Sequence, residues 1–436
     1  MRIGLFTDSY RPAVTGVTFV VDIMKKDLEA MGHEVYIFCA GTQVRPIKKK
    51  DRDDHVIRFP SIQDAFYDDY GLALFFPPRE LTKIKKMKLD MIQILSPGQV
   101  GLMGIYAAQK TKTPYAIQHS TDVAQYIQHY PGVVPGLLLL ALSFPATFRF
   151  KGKDVKELLK IYRPRLLSRW GRDIVYSLMA MIFSRSEAVI ALSPKSQRQL
   201  EGYKKEYDFD IKVIPTGIDA LPKPTATQIK AFKQTHGIAD DDEIVLYVGR
   251  LAAEKNLDIL IPAIKRVLKT RPKARLVFVG NFEYKETLEF KARKSRVGDR
   301  ITFTGSIPRE QLGVAYASGD VFAFPSLTDT QGLVLHEAAH AGLPFVIMDP
   351  EVTQVVIEGE NGLVAKNNVA SLADALLKLL SSESLRKKYG EKSKELARNY
   401  TEFNQSKKLE ALYLEILSRR VVKKKRRSLK RLSNYA

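Results

Sequence analysis

A pair of cations, Arg250 and Lys255, follows an apolar run at residues 243–249. The run has the pattern of a buried strand, and a helical pattern begins soon after the pair, at 257–270. Arg binds phosphate oxygens through two parallel hydrogen bonds and Lys acts as a compact charge, so the pair could hold one diphosphate. Solvated surface cations are the alternative interpretation.

A second group of polar residues lies in the segment 325–337, PSLTDTQGLVLHE. Asp329 falls in a predicted loop, Gly332 and Leu333 stand at the predicted start of a helix, and Glu337 lies inside that helix. Free backbone amides at a helix start suit a phosphate group. Ionised carboxylates only accept hydrogen bonds, so Asp329 and Glu337 suit sugar and ribose hydroxyls.

The elements that must position these residues alternate between strand and helix patterns along the whole chain. At 436 residues, 45% hydrophobic and 27% charged, the chain has the composition of a folded protein with two domains. Since ligands bind outside the carboxyl ends of parallel strands, those ends are where a site is expected. Strands are predicted at 2–7, 34–39, 243–249, 275–280, 301–303, 321–324 and 345–348, helices at 17–31 and 257–270, and a linker at 215–224.

Four segments in a fixed order resemble retaining glycosyltransferases of family 4: FTDSYRPAVTGV, VIPTGID, VGRLAAEKNLDILI, and PSLTDTQGLVLHEAAHAGLPFVI with its acidic-x7-acidic spacing. The resemblance implies an α/β chain of the GT-B class, with two Rossmann-like parallel-sheet domains facing a central cleft. It implies an acceptor-binding domain at 1–218 and a nucleotide-sugar-binding domain at 225–399. A helix at about 400–418 is expected to pack back on the first domain, followed by a basic tail at 419–436.

The resemblance also assigns roles within the two groups of polar residues. It implies that Arg250 and Lys255 hold the donor diphosphate, that Asp329 contacts the transferred sugar, and that Glu337 contacts the ribose. Asp329 stands where the family usually has Glu, so its reach is shorter by one methylene group, which bears on the identity of the donor sugar.

Two N-terminal residues are further candidates. Gly16 lies in a loop after the first strand, where a glycine lets the backbone approach a phosphate closely or simply makes a turn. His119 ends the strand pattern TPYAIQ and resembles the family histidine beside the reacting sugar. A structural histidine is the alternative on local pattern alone.

A metal-binding interpretation competes for the same residues. His336, Glu337 and His340 form an H-E-x-x-H string, as in zinc peptidases, with Glu358 or Glu360 at a suitable distance for a third ligand. The segment AGLP ends the helix at once, and the glutamates lie in a turn pattern, so a zinc site is not favoured.

Two D-x-D strings, at 51–53 and 208–210, lie away from apolar strands and are interpreted as solvated loop carboxylates. No metal and no cofactor is therefore expected. The donor diphosphate would instead be stabilised by Arg250, Lys255 and the helix amides.

A net charge of +21, from 69 basic and 48 acidic residues, predicts an anionic partner such as nucleic acid, an anionic membrane or a phosphorylated substrate. Basic patches lie at 48–50, 83–88 and 419–431, and a solvated, solubilising surface is the alternative interpretation of each. The apolar stretch at 133–148 is too short and too interrupted to span a bilayer, but residues 137–150 combine Phe with Arg and Lys as interfacial segments do. A buried core helix is the alternative for this segment.

The segments HSTDVAQYIQHYP and DTQGL resemble the glycolipid branch of the family. This implies transfer of a hexose from a UDP-glucose or GDP-mannose type donor to a lipid such as diacylglycerol or phosphatidylinositol. A soluble acceptor or a cell-envelope polysaccharide is the alternative. A nucleic-acid binder would explain the charge, but no basic motif interleaved with aromatic residues accompanies it.

The expected location is the cytoplasm, with peripheral attachment to the inner face of the cell membrane. The sequence runs from Met1 directly into a strand pattern without a leader, and the single cysteine, Cys39, follows an apolar run.

Overall fold

The computed structural model describes most of the chain. The described residues are 1–12, 16–41, 54–62, 72–73, 78–96, 98–120, 152, 154–156, 172–204 and 207–433. The predicted interfacial segment 137–150, the D-x-D string at 51–53 and the basic patch at 48–50 lie outside them.

The chain divides into two compact units. One comprises Met1–Leu192, Ser196–Thr216 and Gln405–Ala436, and the other comprises Ser193–Lys195 and Gly217–Asn404. The polypeptide passes from the first unit to the second after Thr216, within the predicted linker at 215–224.

The N-terminal unit is built on a seven-stranded parallel sheet with the order β3-β2-β1-β6-β7-β8-β9. In the described part of this unit a helix follows each of β1, β6 and β8, as the βαβ pattern predicts. The strands of this unit are β1 (Arg2–Thr7), β2 (Glu34–Ala40), β3 (Val56–Phe59), the short antiparallel pair β4 (Ser61–Ile62) and β5 (Leu72–Ala73), β6 (Met91–Ile94), β7 (Tyr115–Gln118), β8 (Ala188–Ala191) and β9 (Ile211–Val213). The helices are α1 (Gly16–Ala30), α2 (Pro78–Met87), α3 (Gln99–Thr111), α4 (Arg172–Phe183) and α5 (Pro194–Tyr203).

The C-terminal unit is built on a six-stranded parallel sheet with the order β12-β11-β10-β13-β14-β15. Its central strands are fully buried, which explains their continuous apolar runs. The strands are β10 (Glu243–Val248), β11 (Ala274–Val279), β12 (Ile301–Gly305), β13 (Val321–Phe324), β14 (Phe345–Ile347) and β15 (Gly362–Val364). The helices are α6 (Ala226–Thr235), α7 (Leu260–Val267), α8 (Lys285–Lys294), α9 (Leu312–Ser318), α10 (Leu333–Ala341), α11 (Val369–Leu380) and α12 (Glu383–Ala397).

The last helix, α13 (Glu402–Ser433), begins in the C-terminal unit and belongs to the N-terminal unit from Gln405 onward. It continues to Ser433, so most of the segment 419–436, treated above as a tail, is helical. Its side chains contact the N-terminal unit through Ser406 with Asp27 (2.8 Å), Glu410 with His33 (2.8 Å), Tyr413 with Gln93 (3.0 Å) and Arg420 with Glu187 (2.8 Å). In the part of the chain that the structure describes, no helix is both long and apolar enough to span a bilayer.

Candidate active site

Two glycines shape the carboxyl edge of the C-terminal sheet. Gly249 follows β10 with φ of +146°, and Gly280 follows the neighbouring strand β11 with φ of +140°. A Cβ atom at Gly280 would lie 2.0 Å from the carbonyl oxygen of Gly249, so no side chain fits there. The two strand ends therefore approach each other closely and present the following residue, Arg250, at the edge of the sheet.

Arg250 is held loosely at this edge. Its Nη2 lies 3.3 Å from Oε1 of Glu254, and its guanidinium carbon lies 4.7 Å from the centre of the Phe282 ring. About half of its side chain, 49%, remains exposed. Arg250 therefore stays accessible to a ligand. Neither Glu254 nor Phe282 was identified from the sequence.

Lys255 and Asp329 form an ion pair across two strand ends. Lys255 ends a 3-10 turn, Ala253–Lys255, beyond β10, and its Nζ lies 2.7 Å from Oδ1 of Asp329, beyond β13. Burial raises the pKa of Asp329, but the charge and hydrogen bond of Lys255 outweigh it, and the pKa is lowered overall. Asp329 is therefore a carboxylate at neutral pH.

Glu337 is buried on α10 with two partners from elsewhere in the unit. Arg309, in a turn after β12, pairs with its Oε1, and the hydroxyl of Tyr316 on α9 donates to its Oε2 at 2.6 Å. Burial, and then the charge of Glu337, raise the pKa of Tyr316 well above its usual value, so the hydroxyl remains a donor. Neither partner is predicted from the sequence, because neither lies in a motif with Glu337.

The start of α10 lies in the segment 325–337, for which the sequence predicts free amides. Gly332 is the N-cap residue and Leu333 is the first helical residue. A Cβ atom at Gly332 would lie 2.8 Å from Cδ1 of Leu335, so a side chain at this position would crowd the helix start. In an α-helix the N–H groups of the first turn point toward the N-terminal end of the axis, which suits an anion. In α10 the Leu335 N–H of this turn donates to the carbonyl oxygen of Gly332 at 2.9 Å.

The two imidazoles of the H-E-x-x-H string have separate surroundings. His336 is fully buried, within 3.3 Å of Gln331 Nε2, and burial lowers its pKa to about 3. His340 Nε2 lies 2.7 Å from the carbonyl oxygen of Ile218. Within the described residues, no three His, Cys, Asp or Glu side chains lie close enough together to hold a metal ion.

The second D-x-D string lies at the surface of the N-terminal unit. Asp208 is almost fully exposed, at 96%, and Asp210 pairs with Lys212 and Arg419 at 3.3 and 3.5 Å.

The remaining candidates, Gly16 and His119, belong to the N-terminal unit. Gly16 begins α1, and no described atom lies within 4 Å of a Cβ atom built on it. His119 directly follows β7, is 4% exposed, and meets the rings of Phe183 and Tyr203 edge-on, with centroids 6.0 Å apart in both cases. Its aromatic surroundings fix the orientation of the imidazole.

Both halves of the chain match known families. Residues 14–220 match Glycosyltransferase Family 4, and residues 228–396 match Glycosyl transferases group 1. The H-E-x-x-H string at 336–340 lies inside the second match, so the comparison places it in a glycosyltransferase domain and not in a peptidase.

Similar proteins cover nearly the whole chain. Alpha-monoglucosyldiacylglycerol synthase of Acholeplasma laidlawii is 26% identical over 96% of this chain and 98% of its own length. The protein of the same name from Streptococcus pneumoniae is 28% identical over 79% of this chain and 70% of its own length.

Solved structures show the same fold. Sucrose-phosphate synthase from Thermosynechococcus elongatus matches with a TM-score of 0.70 at 19% identity, covering 96% of this chain and 99% of its own. Anabaena HepE, in complex with UDP and glucose, matches with a TM-score of 0.66 at 16% identity, covering 95% of this chain and 100% of its own. The two parallel sheets, the family matches and these structures confirm the predicted class, and the chain belongs to the family 4 glycosyltransferases with the GT-B fold.

Proposed function

We propose that this glycosyltransferase moves a hexose from a UDP-glucose or GDP-mannose type donor to a hydroxyl group of a membrane lipid such as diacylglycerol or phosphatidylinositol. The observation that carries the donor half of the proposal is the arrangement of Arg250, Lys255 and Asp329 at the carboxyl edge of one parallel sheet. Two cations beside a carboxylate suit a diphosphate joined to a sugar.

The donor diphosphate is the leaving group of the reaction. The bond between the sugar C1 and the diphosphate oxygen breaks, a bond from C1 to the acceptor oxygen forms, and the acceptor hydroxyl loses its proton. Arg250, Lys255 and the amides at the start of α10 stabilise the negative charge that develops on the diphosphate. With these positive groups available, the proposal includes no metal ion and no cofactor.

Each carboxylate has a separate task in this proposal. Asp329 accepts hydrogen bonds from hydroxyls of the transferred sugar, and Glu337 from the ribose. Gly16 allows close approach to the donor phosphate, and His119 lies beside the reacting sugar. We propose that the transfer retains the configuration at C1, since the relatives are named for alpha products and UDP-glucose and GDP-mannose are themselves alpha-linked.

The lipid acceptor is supported by the relatives and by the charge of the chain. Two relatives that align with more than three quarters of this chain are named alpha-monoglucosyldiacylglycerol synthases. On α2, Lys83, Lys85 and Lys86 are exposed while Ile84 is buried, so this helix presents its basic side to solvent. Such a surface suits the anionic inner face of a cell membrane. A soluble or polysaccharide acceptor remains the alternative.

A donor and acceptor screen tests the proposal. Purified protein is incubated with UDP-glucose, UDP-galactose or GDP-mannose and with liposomes that contain diacylglycerol or phosphatidylinositol. We expect one donor to yield an alpha-glycosylated lipid, identified by mass spectrometry and by the NMR coupling of its anomeric proton. Transfer only to a water-soluble acceptor, or a beta product, would contradict the lipid or the retaining part of the proposal, respectively.

A further inference from the structure

A short segment, Ser193–Lys195, belongs to the C-terminal unit, although the chain on both sides of it belongs to the N-terminal unit. It begins two residues after β8, and Pro194 and Lys195 are the first two residues of α5, the rest of which belongs to the N-terminal unit. Ser193 is fully buried and Lys195 is 7% exposed. A lysine with so little exposure normally has a specific partner.

Both side chains of this segment hold the loop that carries Asp329. The Ser193 hydroxyl donates to the carbonyl oxygen of Thr330 at 2.5 Å, one residue after Asp329. The Lys195 ammonium donates to the carbonyl oxygen of Leu327 at 2.5 Å, two residues before it. The loop is therefore fixed on both sides of Asp329 through its backbone.

Lys195 also connects this loop to the next strand end. The Nζ atom of Lys195 lies 2.7 Å from Oδ2 of Asp349, beyond β14. The backbone N–H of Lys195 donates to the carbonyl oxygen of Glu351 at 2.9 Å. β13 and β14 are neighbours in the sheet, so Lys195 bridges the loops at two adjacent carboxyl ends. The positive charge of Lys195 also contributes to the lowered pKa of Asp329.

We infer that Ser193 and Lys195 are positioning residues that set the Asp329 carboxylate at the transferred sugar, by fixing the backbone on both sides of it. The inference rests on the role proposed above for Asp329. Neither residue is assigned a contact with the donor, whose diphosphate is held by Arg250 and Lys255. Loss of the contact that Ser193 or Lys195 makes with the Asp329 loop should therefore disturb the position of the sugar and leave the diphosphate bound.

The test uses the full-length variants Ser193→Ala, Lys195→Met and Lys195→Arg. Each is assayed by calorimetry with UDP, UDP-glucose, GDP and GDP-mannose, by donor turnover, and by hydrogen exchange of the amides at 326–331. We expect S193A and K195M to keep the Kd of the nucleoside diphosphate, to exchange these amides faster, and to lower kcat by roughly tenfold to a hundredfold. K195R, which keeps the charge, should retain more turnover than K195M.

Two control variants separate positioning from a general loss of packing. Ser393 is as buried as Ser193 and donates to the carbonyl oxygen of Leu343 at 2.7 Å, outside the Asp329 loop. Lys273 pairs with Asp241 at 2.7 Å on the exposed surface of the same unit. S393A and K273M should leave kcat and the exchange of 326–331 at the wild-type level.

The possible outcomes are distinct. If S193A and K195M keep the wild-type kcat and the wild-type hydrogen exchange, the inference is overturned and the proposed function is unaffected. A parallel loss of nucleoside diphosphate affinity, or an equal loss of kcat in S393A, would also overturn it, because either result indicates structural damage. A wild-type protein that binds no sugar nucleotide would overturn the proposed function, and the inference with it.

Discussion

Lys255 and Asp329 neutralise each other at a distance of 2.7 Å, and both side chains are mostly shielded from solvent, at 12% and 18% exposure. The family resemblance assigns Lys255 to the diphosphate of the donor and Asp329 to its sugar. When a donor occupies both positions, Lys255 must interact with the Asp329 carboxylate and with the diphosphate at the same time. Arg250 is half exposed and lies 3.3 Å from its partner Glu254, which is itself only 7% exposed, so Arg250 can turn toward the diphosphate from the solvent side. The two cations therefore differ in what their removal does to the protein.

Replacing Arg250 or Lys255 with Ala should nearly abolish transfer. Loss of one preorganised donor to a developing charge typically costs about 3 to 4 kcal/mol of transition-state stabilisation, which corresponds to a fall in kcat of several hundredfold. In K255A the Asp329 carboxylate loses its partner, so its pKa should rise and the protein should also lose stability. In R250A the loss of stability should be smaller than in K255A, because the Arg250 side chain is half exposed and lies 3.3 Å from Glu254, although Glu254 itself is only 7% exposed.

Steady-state kinetics and urea unfolding measure these two effects on the same samples. K273A removes a lysine whose ion pair with Asp241 lies at the surface, and it should match the wild type in both measurements. Wild-type turnover in R250A or K255A would show that the diphosphate is not held there.

Tyr316→Phe should weaken nucleotide binding through Glu337. The Tyr316 hydroxyl donates to Glu337 Oε2 at 2.6 Å in a buried position, and its loss leaves that oxygen without this donor. We expect a loss of about 1 to 3 kcal/mol in unfolding free energy, together with a higher Kd for the nucleoside diphosphate. Tyr413→Phe removes a buried hydroxyl that donates to Gln93 in the N-terminal unit and should cost stability without changing that Kd. If Y316F and the wild type have the same Kd for the nucleoside diphosphate, Glu337 does not contact the ribose.

His336 should make the protein less stable in mild acid. Burial lowers its pKa to about 3, while the unfolded chain has the usual value of 6.5. Between these two pH values the unfolded state binds one more proton, so stability is complete above pH 6.5 and falls as the pH drops toward 3. The slope from this group is about 1.4 kcal/mol per pH unit.

His336→Leu isolates this contribution from the carboxylates that titrate in the same range. The difference in unfolding free energy between wild type and H336L should change with pH below 6.5 and stay constant above it. A difference between wild type and H336L that is independent of pH would contradict the burial of a neutral imidazole.

The sequence predicted the elements of the candidate site better than the contacts within it. The strand predicted at 321–324 is β13, and the one at 243–249 is β10 within one residue, because fully buried parallel strands leave continuous apolar runs. Arg309, Tyr316 and Lys195 were missed. Each lies on an element distant in the chain from the carboxylate it serves, and only the folded unit brings them together.

Transfer should continue in the presence of EDTA, and the purified protein should carry no stoichiometric zinc. The physical reason is that Arg250, Lys255 and the α10 amides already supply positive charge at the diphosphate. Elemental analysis measures the zinc content, and a donor-turnover assay with and without EDTA measures the activity. Zinc at one ion per chain, lost together with activity on chelation, would support the H-E-x-x-H hypothesis for His336 and His340 instead.

The basic end of α13 should bind anionic membranes, and the structure shows where to truncate it. Arg420 pairs with Glu187 at 2.8 Å and donates to the carbonyl oxygen of Lys112 at 2.6 Å, while Arg419 pairs with Asp210 and Glu415. These two arginines hold the helix on the N-terminal unit. Deletion of 421–436 keeps them, whereas deletion of 419–436 would also disturb the packing of the helix.

Residues 421–436 contain seven basic side chains. Each contributes roughly 1 kcal/mol near an anionic surface, and the attraction weakens as salt shortens the Debye length. The deletion of 421–436 should therefore weaken binding to liposomes of anionic lipid, most strongly at low salt, and leave donor hydrolysis in solution nearly unchanged. A full-length variant with these seven residues changed to Gln keeps the length of the chain and should show the same loss. Because residues 137–150 remain in both proteins, some salt-resistant binding should persist. If both variants bind liposomes with the affinity and salt dependence of the wild type, the end of α13 is not the anchor, and the basic residues of the N-terminal unit must provide the attraction.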